Sequence, residues 1–372
     1  QTPSYNAIPS PGGTGADGAN SGRFLKPSPG NAKFNPRQLM KMPTRNQDEE
    51  QQLREFIEEF HGEIIRTRPD LFLEKMEKAA ASDRVFYRAF PQLYYQILSR
   101  RNEAKVLAAT KRLLLAGDIH PNNTELVDYK DGVVLQTNDF DDAGVAPAAV
   151  EIARMLGGAG LLGGHSAADR RDRIADAAKG YRAVLKEDFK EWSRKTRDEK
   201  AIDKALRKDR DWAHNAGVPV RDPGLERRLL SAAGLDGKEW RVFDRAGAGG
   251  SSIGVRRYMF LHRKGHVWEM KQLRPSALSY FGEVGGPQSD RARVGKAYEK
   301  LRIVPAEART FRWEGTDWVL RLRERFQLPL NYEKAASAAR VIGGMTAQMH
   351  ARLADPADLK TALEAVSPQL VI

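Results

Sequence analysis

Two short acidic loops in the first half of the chain limit its possible folds more than any other feature. The first loop is residues 117–123 (GDIHPNN), and the second is residues 138–144 (NDFDDAG). Asp118 precedes Asn123 by five residues, and Asp139 follows in the second loop. Carboxylate and amide oxygens are the ligands that Mg²⁺ prefers in proteins. A fold that uses this pattern must therefore bring the two loops together around one ion.

The segment between the two loops predicts how they meet. Residues 124–129 and 133–136 are two short runs with the composition of strands, separated by Lys130-Asp131-Gly132. Asp-Gly is typical of a tight hairpin turn. We therefore expect an antiparallel hairpin of a length that places the two loops side by side.

The chemistry of the loop side chains suggests a separate role for each. Asn123 offers a carbonyl oxygen and Asp139 a carboxylate to a divalent ion, and Asp141 is a further candidate metal ligand. Asp118 is then free to accept a proton from an attacking group or to orient that group. His120 is the second candidate catalytic residue, although we favour a role for its ring in shaping the loop by hydrogen bonding.

A glycine-rich segment follows in the second half of the chain. Residues 246–254 (AGAGGSSIG) precede the apolar run 258–261 and predict a strand, a turn and a second strand. Glycines let backbone N–H groups approach an anion such as a phosphate closely, which larger residues prevent. The candidate phosphate-binding residues of this segment are Gly247, Gly249, Gly250, Ser251, Ser252 and Gly254.

A lysine ends the next predicted strand. Residues 267–271 (VWEMK) have the composition of a strand that finishes on Lys271, whose ammonium group is a candidate ligand for phosphate oxygens. A helix predicted at residues 290–302 carries Glu299, which we expect to pair with this lysine. Glu283, in a glycine-rich loop, is the weaker alternative.

Together these residues resemble the nucleotide site of kinases. In kinases a catalytic Asp precedes a metal-binding Asn by five residues, a second Asp follows, and a glycine-rich loop and a lysine bind the phosphates. The order differs here, because both acidic loops precede the glycine-rich segment and Lys271. Circular permutation reconciles the two orders if the original chain ends lay close together at the surface. The resemblance implies the α+β fold class, with a two-lobed, circularly permuted protein-kinase-like fold, and ATP and Mg²⁺ as cofactors.

Residues 75–355 also resemble one particular family, the uncharacterised bacterial domain of unknown function 2252 family. This family is related to the aminoglycoside and choline phosphotransferase branch of kinase-like folds. The resemblance depends on a set of motifs in one order. They are Phe86-Tyr87-Arg88, Gly117-Asp118-x-His120-x-x-Asn123, Asn138-Asp139-Phe140-Asp141, Glu151-Ile152-Ala153-Arg154-Met155, the glycine-rich segment with Arg256, and Lys271.

The organisation of the chain follows from this arrangement and from local composition. We predict four segments. They are a flexible arm rich in Gly, Pro, Ser and Asn at residues 1–34, a helical larger lobe with the catalytic and metal loops at 35–235, a smaller β-rich nucleotide lobe at 236–325, and a hinge with C-terminal helices that return to the larger lobe at 326–372.

The charge balance favours acidic partners. The chain has 61 Lys and Arg against 49 Asp and Glu, a net charge of +12. A nucleotide is the favoured partner, with a small molecule or a protein as the unknown acceptor. Nucleic acid and an anionic membrane are alternatives that depend on charge alone.

The residue types present also limit the chemistry and the location. The sequence has no cysteine, which excludes a disulfide, a thiolate nucleophile and a zinc–thiolate site. No apolar run reaches the roughly 18 residues that span a membrane. A cytoplasmic location is favoured, and export after removal of a signal is left open because the sequence begins at Gln1.

We expect ATP- and Mg²⁺-dependent transfer of a phosphoryl group to an unknown hydroxyl or amine acceptor. Nucleotidyl transfer on the same fold is an alternative, distinguished by whether γ-phosphate or AMP reaches the acceptor. A catalytically inactive nucleotide-binding scaffold is a second alternative, favoured by Gln272 after the lysine and by Ser251 in the glycine-rich segment. A protein that binds nucleic acid or membrane through its net charge is the third, and its binding should fall steeply with salt.

Overall fold

Helices form the first described segment of the chain, and short strands and a larger sheet follow. The computed structural model describes residues 47–129, 132–163, 166–186, 216–247, 253–286, 289–304, 307–323, 335–367 and 370. The chain divides into a unit of residues 1–41 and a unit of residues 42–372, and every described residue belongs to the second. Its class is α+β, as the sequence predicted. The arm predicted at residues 1–34 and the start of the predicted hinge at 326–334 lie outside the described residues.

Helices precede the first acidic loop. Those described are α1 (Gln47–Thr67), α2 (Pro69–Ala80), α3 (Asp83–Ala89), α4 (Pro91–Ser99) and α5 (Ala104–Ala108). Apolar residues at helical spacing form the inner face of α1, where Phe56, Ile57 and Ile64 are buried. Proline opens α2 and α4, at the position where its missing N–H costs no helical hydrogen bond. No described helix combines the length and the apolar character needed to cross a membrane.

Four short strands in the described residues fix the two acidic loops relative to each other. They are β1 (Arg112–Leu115), β2 (Thr124–Tyr129), β3 (Gly132–Thr137) and β4 (Gly144–Pro147). β1 pairs antiparallel with β4, and β2 pairs antiparallel with β3, as predicted for the hairpin. The first loop runs from β1 to β2, and the second runs from β3 to β4. Because both loops begin and end on paired strands, they lie side by side.

The two helices that follow form the centre of the helical layer. They are α6 (Ala148–Gly160) and α7 (Ala167–Val184). Every residue of α6 is buried, so this helix is surrounded by protein on all sides. Ser166 caps α7 by accepting a hydrogen bond from the backbone N–H of Asp169.

A six-stranded antiparallel sheet forms the β-rich part of the described residues. Its strands are β5 (Val218–Pro219), β6 (Trp240–Asp244), β7 (Arg257–His262), β8 (Val267–Gln272), β9 (Ala308–Trp313) and β10 (Thr316–Leu322). Their order is β5-β6-β7-β8-β10-β9. The glycine-rich segment joins the neighbours β6 and β7, and Lys271 lies near the end of β8, the next strand. The predicted strand–turn–strand and lysine-ended strand therefore have the expected neighbours.

One helix that precedes β6 in the chain packs against this sheet. Leu229 and Leu230 of α8 (Pro223–Ala233) belong to the same buried cluster as Phe260 and Trp318 of the sheet. Residues 218–233 therefore contribute β5 and α8 to the sheet and its packing, and the lobe boundary expected at residue 236 stays a prediction.

The C-terminal helices return to the helical layer. After α9 (Asp290–Lys300), which packs against β9 and β10, the returning helices are α10 (Ala335–Ala351) and α11 (Pro356–Glu364). A Cβ atom on Gly180 of α7 would lie 2.0 Å from the carbonyl oxygen of Arg340, and one on Gly343 would lie 2.0 Å from that of Ala177. Only glycine allows this contact between the backbones of α7 and α10. The contact fixes the position of His350, near the end of α10.

Candidate functional site

The second acidic loop meets the sheet at Lys271. The Nζ atom of this lysine lies 3.6 Å from Oδ2 of Asp139 and forms a closer ion pair with Oδ2 of Asp141. Lys271 is only 5% exposed, and the side chains of Asp139 and Asp141 are 23% and 14% exposed, so the cation lies largely out of water beside two carboxyl groups. The structure therefore brings together a lysine and two aspartates that lie far apart in the sequence.

Arg321 of β10 is a second cation at this loop. Its Nη1 group donates to the carbonyl oxygen of Asn138 and lies 3.8 Å from Oδ1 of Asp139. Its Nε and Nη2 atoms lie 2.8 and 2.7 Å from Oε2 of Glu269. Burial alone would raise the pKa of Asp139, but Lys271 and Arg321 outweigh it and lower this pKa. Asp139 is therefore held as a carboxylate, the form that binds a divalent ion.

The two loops also carry oxygen atoms suited to a metal ion. Oδ1 of Asp139 and Oδ1 of Asp141 are buried and have no hydrogen-bond partner among the described residues. The amide of Asn123 is oriented by a hydrogen bond from its Nδ2 to the carbonyl oxygen of Asp118 at 2.8 Å. No group of three or more His, Cys, Asp and Glu side chains in the described residues could hold a metal ion. Two carboxylates and one amide are nevertheless a donor set that fits Mg²⁺, which usually keeps several waters.

Asp118 is held by Arg154 of α6. Arg154 donates from Nε to Oδ1 of Asp118 at 3.0 Å, and its Nη2 donates to the same oxygen. The arginine side chain is fully buried. The rings of Tyr87, Tyr94 and Tyr95 lie around its guanidinium carbon, with centroids at 4.4, 5.1 and 5.7 Å. The Asp118 carboxylate is thus fixed in orientation, with its Oδ2 atom not engaged by the arginine.

A buried chain of hydrogen bonds anchors the first loop to three helices. The N–H of Gly117 donates to Oε1 of Glu151 at 2.5 Å. Nε2 of His350 lies 2.9 Å from Oε2 of Glu151, and the hydroxyl of Tyr181 lies 2.9 Å from Nδ1 of His350. Burial raises the pKa of Tyr181, so its hydroxyl stays protonated and shares one hydrogen bond with Nδ1 of His350. The chain links α6, α10 and α7 and fixes the backbone just before Asp118.

The two loops touch each other at Gly117. Its φ is +84°, and a Cβ atom there would lie 1.9 Å from the carbonyl oxygen of Asp142. The carbonyl oxygen of Gly117 accepts a hydrogen bond from the Tyr95 hydroxyl at 2.6 Å. Glycine is therefore required at the start of the first loop both by its backbone conformation and by the contact with the second loop.

His120 lies inside the first loop. Its Nδ1 atom accepts a hydrogen bond from the N–H of Asn122 at 3.1 Å, and its Nε2 atom lies 3.6 Å from Oδ2 of Asp118. Burial lowers the pKa of His120 to about 3, so its ring is neutral near pH 7. This geometry agrees with the loop-shaping role that the sequence favoured, and direct catalysis by His120 stays a prediction.

The glycine-rich segment is described only near its ends. The candidate residues outside the described part of the chain are Gly249, Gly250, Ser251 and Ser252. The N–H of Gly254 donates to the carbonyl oxygen of Ala246 at 2.9 Å, which closes the segment into a loop. A Cβ atom on Gly254 would lie 1.5 Å from Cδ1 of Ile64, and one on Gly247 would lie 3.4 Å from Cδ2 of Leu71. Helices α1 and α2 therefore support both described ends of the loop.

The predicted ion pair between Glu299 and Lys271 was wrong. The Glu299 side chain is 66% exposed and pairs with Lys300 at 2.8 Å. Helix α9 turns this residue towards solvent, and the acidic partners of Lys271 come from the second loop, with Asp141 the nearer one. Glu283, the alternative, is also exposed.

The residues that hold the first loop were not singled out from the sequence. Glu151 and Arg154 entered only as parts of a family motif, and His350 and Tyr181 had no assigned role. A signal for Glu151 and Arg154 was present in the sequence. Two charged residues three positions apart within an apolar helix are buried on one face, and each then needs a polar or charged partner elsewhere in the fold. Tyr181 occupies an ordinary apolar position of α7, and no local pattern marks it.

Comparisons with known proteins concern only part of the chain. Curated proteins give no match, and solved structures give none. The matching family model covers both acidic loops and Arg154, whereas Lys271 and the glycine-rich segment lie beyond it. Over residues 66–221, the chain matches the family described as an uncharacterized protein conserved in bacteria, DUF2252.

Proposed function

We propose that this protein is an ATP- and Mg²⁺-dependent phosphotransferase that acts on a hydroxyl or amine acceptor. Its two-lobed arrangement would be that of a circularly permuted kinase. The nucleotide would lie between the six-stranded sheet and the two acidic loops, with the glycine-rich segment over its phosphates.

The observation that carries this proposal is the contact of Lys271 with Asp139 and Asp141. Phosphoryl transfer requires a phosphate-binding cation, metal ligands and a proton acceptor at one place. In this chain Lys271 follows the glycine-rich segment, whereas Asp139 and Asp118 lie in adjacent loops. Elements that a kinase site needs therefore converge from distant parts of the sequence.

Each residue has a role that its surroundings support. Asn123 and Asp139 would hold Mg²⁺, which neutralises phosphate charge when it is bound. Oδ2 of Asp118 would orient the acceptor and take its proton, while Arg154 fixes the carboxylate through Oδ1. Lys271 would bind phosphate oxygens, and these oxygens would replace part of its contact with the two aspartates.

Asp141 is better assigned as the partner of Lys271 than as a metal ligand. In active kinases a glutamate on a helix pairs with this lysine. Here the nearer carboxylate on Lys271 is Asp141, only two residues beyond Asp139. One short loop would then supply both the metal ligand and the residue that positions the lysine.

A catalytically inactive nucleotide-binding scaffold is the second candidate. The direct contacts of Lys271 with Asp139 and Asp141 suit a scaffold as well as an enzyme, and Gln272 after the lysine favours the scaffold. A scaffold would bind ATP and transfer no group. The two candidates therefore differ in turnover and not in binding.

Thermal unfolding with ATP, in the presence and absence of Mg²⁺, tests the nucleotide site. A ligand at 100 times its dissociation constant stabilises a native protein by about 2.7 kcal/mol. We expect a Mg²⁺-dependent rise in the unfolding temperature of the wild type that Asp139→Asn loses. Asp172→Asn is the matched control, because Asp172 is exposed on α7, and it should behave as the wild type. No rise in the wild type would contradict nucleotide binding altogether.

An acceptor screen with labelled ATP then tests transfer. Label from the γ position on the acceptor, lost in Asp118→Asn, supports phosphoryl transfer. Label from the α position instead identifies nucleotidyl transfer. Binding of ATP with no Asp118-dependent transfer to any hydroxyl or amine compound would favour the scaffold.

A further inference from the structure

A cavity lies between helices α3, α4, α6 and α7, apart from the proposed nucleotide site. Its volume is about 280 Å³, near the lower end of the roughly 300–1,000 Å³ that small-molecule pockets occupy. None of its described lining residues belongs to either acidic loop or to the six-stranded sheet. It is therefore a separate cavity, and the proposed function does not supply its occupant.

Aromatic and aliphatic side chains form most of the cavity wall. They include Phe86 and Tyr87 of α3, Tyr94 and Leu98 of α4, and Ile174 of α7. Aromatic rings offer a large apolar surface and pack favourably against another ring. The wall therefore favours an occupant with a flat, apolar body.

Helix α6 contributes backbone instead of side chains to this wall. Gly157 and Gly160 both line the cavity, although glycine is among the poorest helix formers. A Cβ atom on Gly157 would lie 3.1 Å from the hydroxyl oxygen of Tyr87, and one on Gly160 would lie 3.2 Å from Cγ1 of Ile174. The two glycines therefore let these wall side chains lie directly against α6.

The mouth of the cavity combines an exposed apolar residue with positive charge. Ile97 lines the cavity and is 49% exposed, so the cavity opens to solvent there. Arg170 and Asp83 also line it and pair with each other at 2.8 Å. Arg101 lines it as well, is exposed, and forms no side-chain ion pair or hydrogen bond with a described residue. Two arginines face one aspartate, so Arg101 is a cation in need of a counterion.

The inner wall of the cavity lies against the support of the first acidic loop. Tyr87 and Tyr94 line the cavity, and the guanidinium carbon of Arg154 lies 4.4 and 5.1 Å from the centroids of their rings. Arg154 in turn holds Asp118. An occupant of the cavity would therefore contact two of the rings that pack around this arginine.

We infer that this cavity is a binding site for a small apolar anion, with its flat body beside the rings of Phe86, Tyr87 and Tyr94 and its acidic group at Arg101. A carboxylate, sulfonate or phosphate can accept two parallel hydrogen bonds from one guanidinium group. The apolar wall lowers the local dielectric and strengthens this attraction. The inference goes beyond the proposed function and does not depend on it, since neither ATP nor the acceptor enters the argument.

Fluorescence titration with 1-anilinonaphthalene-8-sulfonate tests the site, because this aromatic anion fluoresces strongly when it binds an apolar surface. We expect saturable binding to the wild type. Ile97→Glu places a negative charge at the mouth of the cavity and should weaken this binding by about 10-fold or more. Val106→Glu is the matched control and should bind as the wild type does, because Val106 is 55% exposed and does not line the cavity.

A neutral probe tests the role of Arg101. 1-Anilinonaphthalene has the same rings without the sulfonate group. Arg101→Met should weaken binding of the sulfonate probe by about 10-fold and leave binding of the neutral probe unchanged. Lys105→Met should change neither affinity, because Lys105 is an exposed cation of α5 that does not line the cavity.

Three outcomes would overturn the inference. They are a wild type that binds the sulfonate probe without saturation, an Ile97→Glu variant that binds it as tightly as Val106→Glu does, and an Arg101→Met variant that binds it as tightly as the wild type does. All the substituted side chains are exposed, so the variants should fold as the wild type does. If Ile97→Glu does not fold, Ile97→Trp narrows the mouth instead and should weaken binding of both probes.

Discussion

Arg154 donates two hydrogen bonds to a single oxygen of Asp118, and both side chains are buried. The pair joins the first acidic loop to the centre of α6, a helix that is buried along its whole length. An arginine suits this position, because its planar guanidinium can donate two hydrogen bonds. Its charge is delocalised within that group, which lies among aromatic rings. The orientation of Asp118 is therefore set by the protein core and not by solvent.

Removing Arg154 should destabilise the protein strongly. Arg154→Met leaves the Asp118 carboxylate buried without its partner, which costs about 3–5 kcal/mol. Arg154→Lys keeps the charge but loses the paired geometry, and should cost less. Urea unfolding measures the free energy of unfolding of both Arg154 variants, with Arg170→Met as the control. Arg170 pairs with the exposed Asp83, and loss of that pair should cost under about 1 kcal/mol.

The double variant identifies the cause of that loss. If the buried charge of Asp118 is responsible, adding Asp118→Asn to Arg154→Met should recover part of the lost stability. Strictly additive losses would instead mean that the arginine acts through its packing against the tyrosine rings, and the ion-pair explanation would fail.

The hydroxyl of Tyr181 should matter for stability more than its position on α7 suggests. Tyr181→Phe removes the hydrogen-bond partner of Nδ1 of His350 and leaves a buried ring nitrogen unpaired, at a cost of about 1–3 kcal/mol. Tyr280→Phe is the matched control, since Tyr280 is partly exposed and its hydroxyl has no hydrogen bond to a described residue. The unfolding temperature of Tyr181→Phe should therefore fall clearly below that of Tyr280→Phe. Equal losses would show that the chain from Glu151 to Tyr181 contributes nothing beyond packing.

Asp142 should make stability depend on pH. Burial, with Asp118 as a smaller contributor, raises the pKa of Asp142 from 3.8 to about 7. The folded protein therefore holds this proton more tightly than the unfolded chain does. Its contribution to stability is present in full below about pH 4 and is lost as the pH rises through about 7.

The side chain introduced by Asp142→Asn cannot ionise, so this variant should not lose stability as the pH rises through about 7. The free energy of unfolding of the variant, relative to that of the wild type, should increase between about pH 4 and pH 8. The increase is at most about 1.4 kcal/mol per pH unit. Burial lowers the pKa of Lys75 to about 7, in the same range, so the comparison is repeated in the Lys75→Met background. A difference that does not change with pH would show that folding does not shift the pKa of Asp142.

The sequence predicted elements whose signals are local. Asp131-Gly132 between two strand-like runs was enough to predict the β2–β3 hairpin, and the strand-like composition of residues 267–271 was enough to predict β8. The same kind of signal located the helix that became α9. These predictions depend on a few neighbouring residues, which the sequence displays directly.

Partners across the fold could not be predicted in the same way. Glu299 lies on α9, but the buried face of α9 includes Val294, Ala297 and Tyr298, and this spacing turns Glu299 outwards. The pairing of Lys271 with Asp141 depends on how the sheet meets the second loop, which no local pattern encodes.

The contact between Gly254 and Ile64 tests whether α1 supports the glycine-rich segment. Gly254 has a φ of +83°, and a Cβ atom there would lie 1.5 Å from Cδ1 of Ile64. Gly315 has a similar φ of +77°, but no atom lies within 4 Å of its Cβ position. Gly315→Ala therefore measures backbone strain alone, on the order of 1 kcal/mol. Gly254→Ala adds a clash with a buried side chain and should cost roughly twice that or more in urea unfolding.

The double variant separates the two contributions to Gly254→Ala. Ile64→Ala alone should destabilise by about 2–5 kcal/mol, because Ile64 is 1% exposed and its loss opens a cavity. In the Ile64→Ala background, Gly254→Ala should cost no more than Gly315→Ala, since the added methyl group then occupies that cavity. An unchanged cost would mean that α1 yields to the methyl group without loss. Helix α1 would then not constrain the segment, and variation in α1 should leave nucleotide binding unaffected.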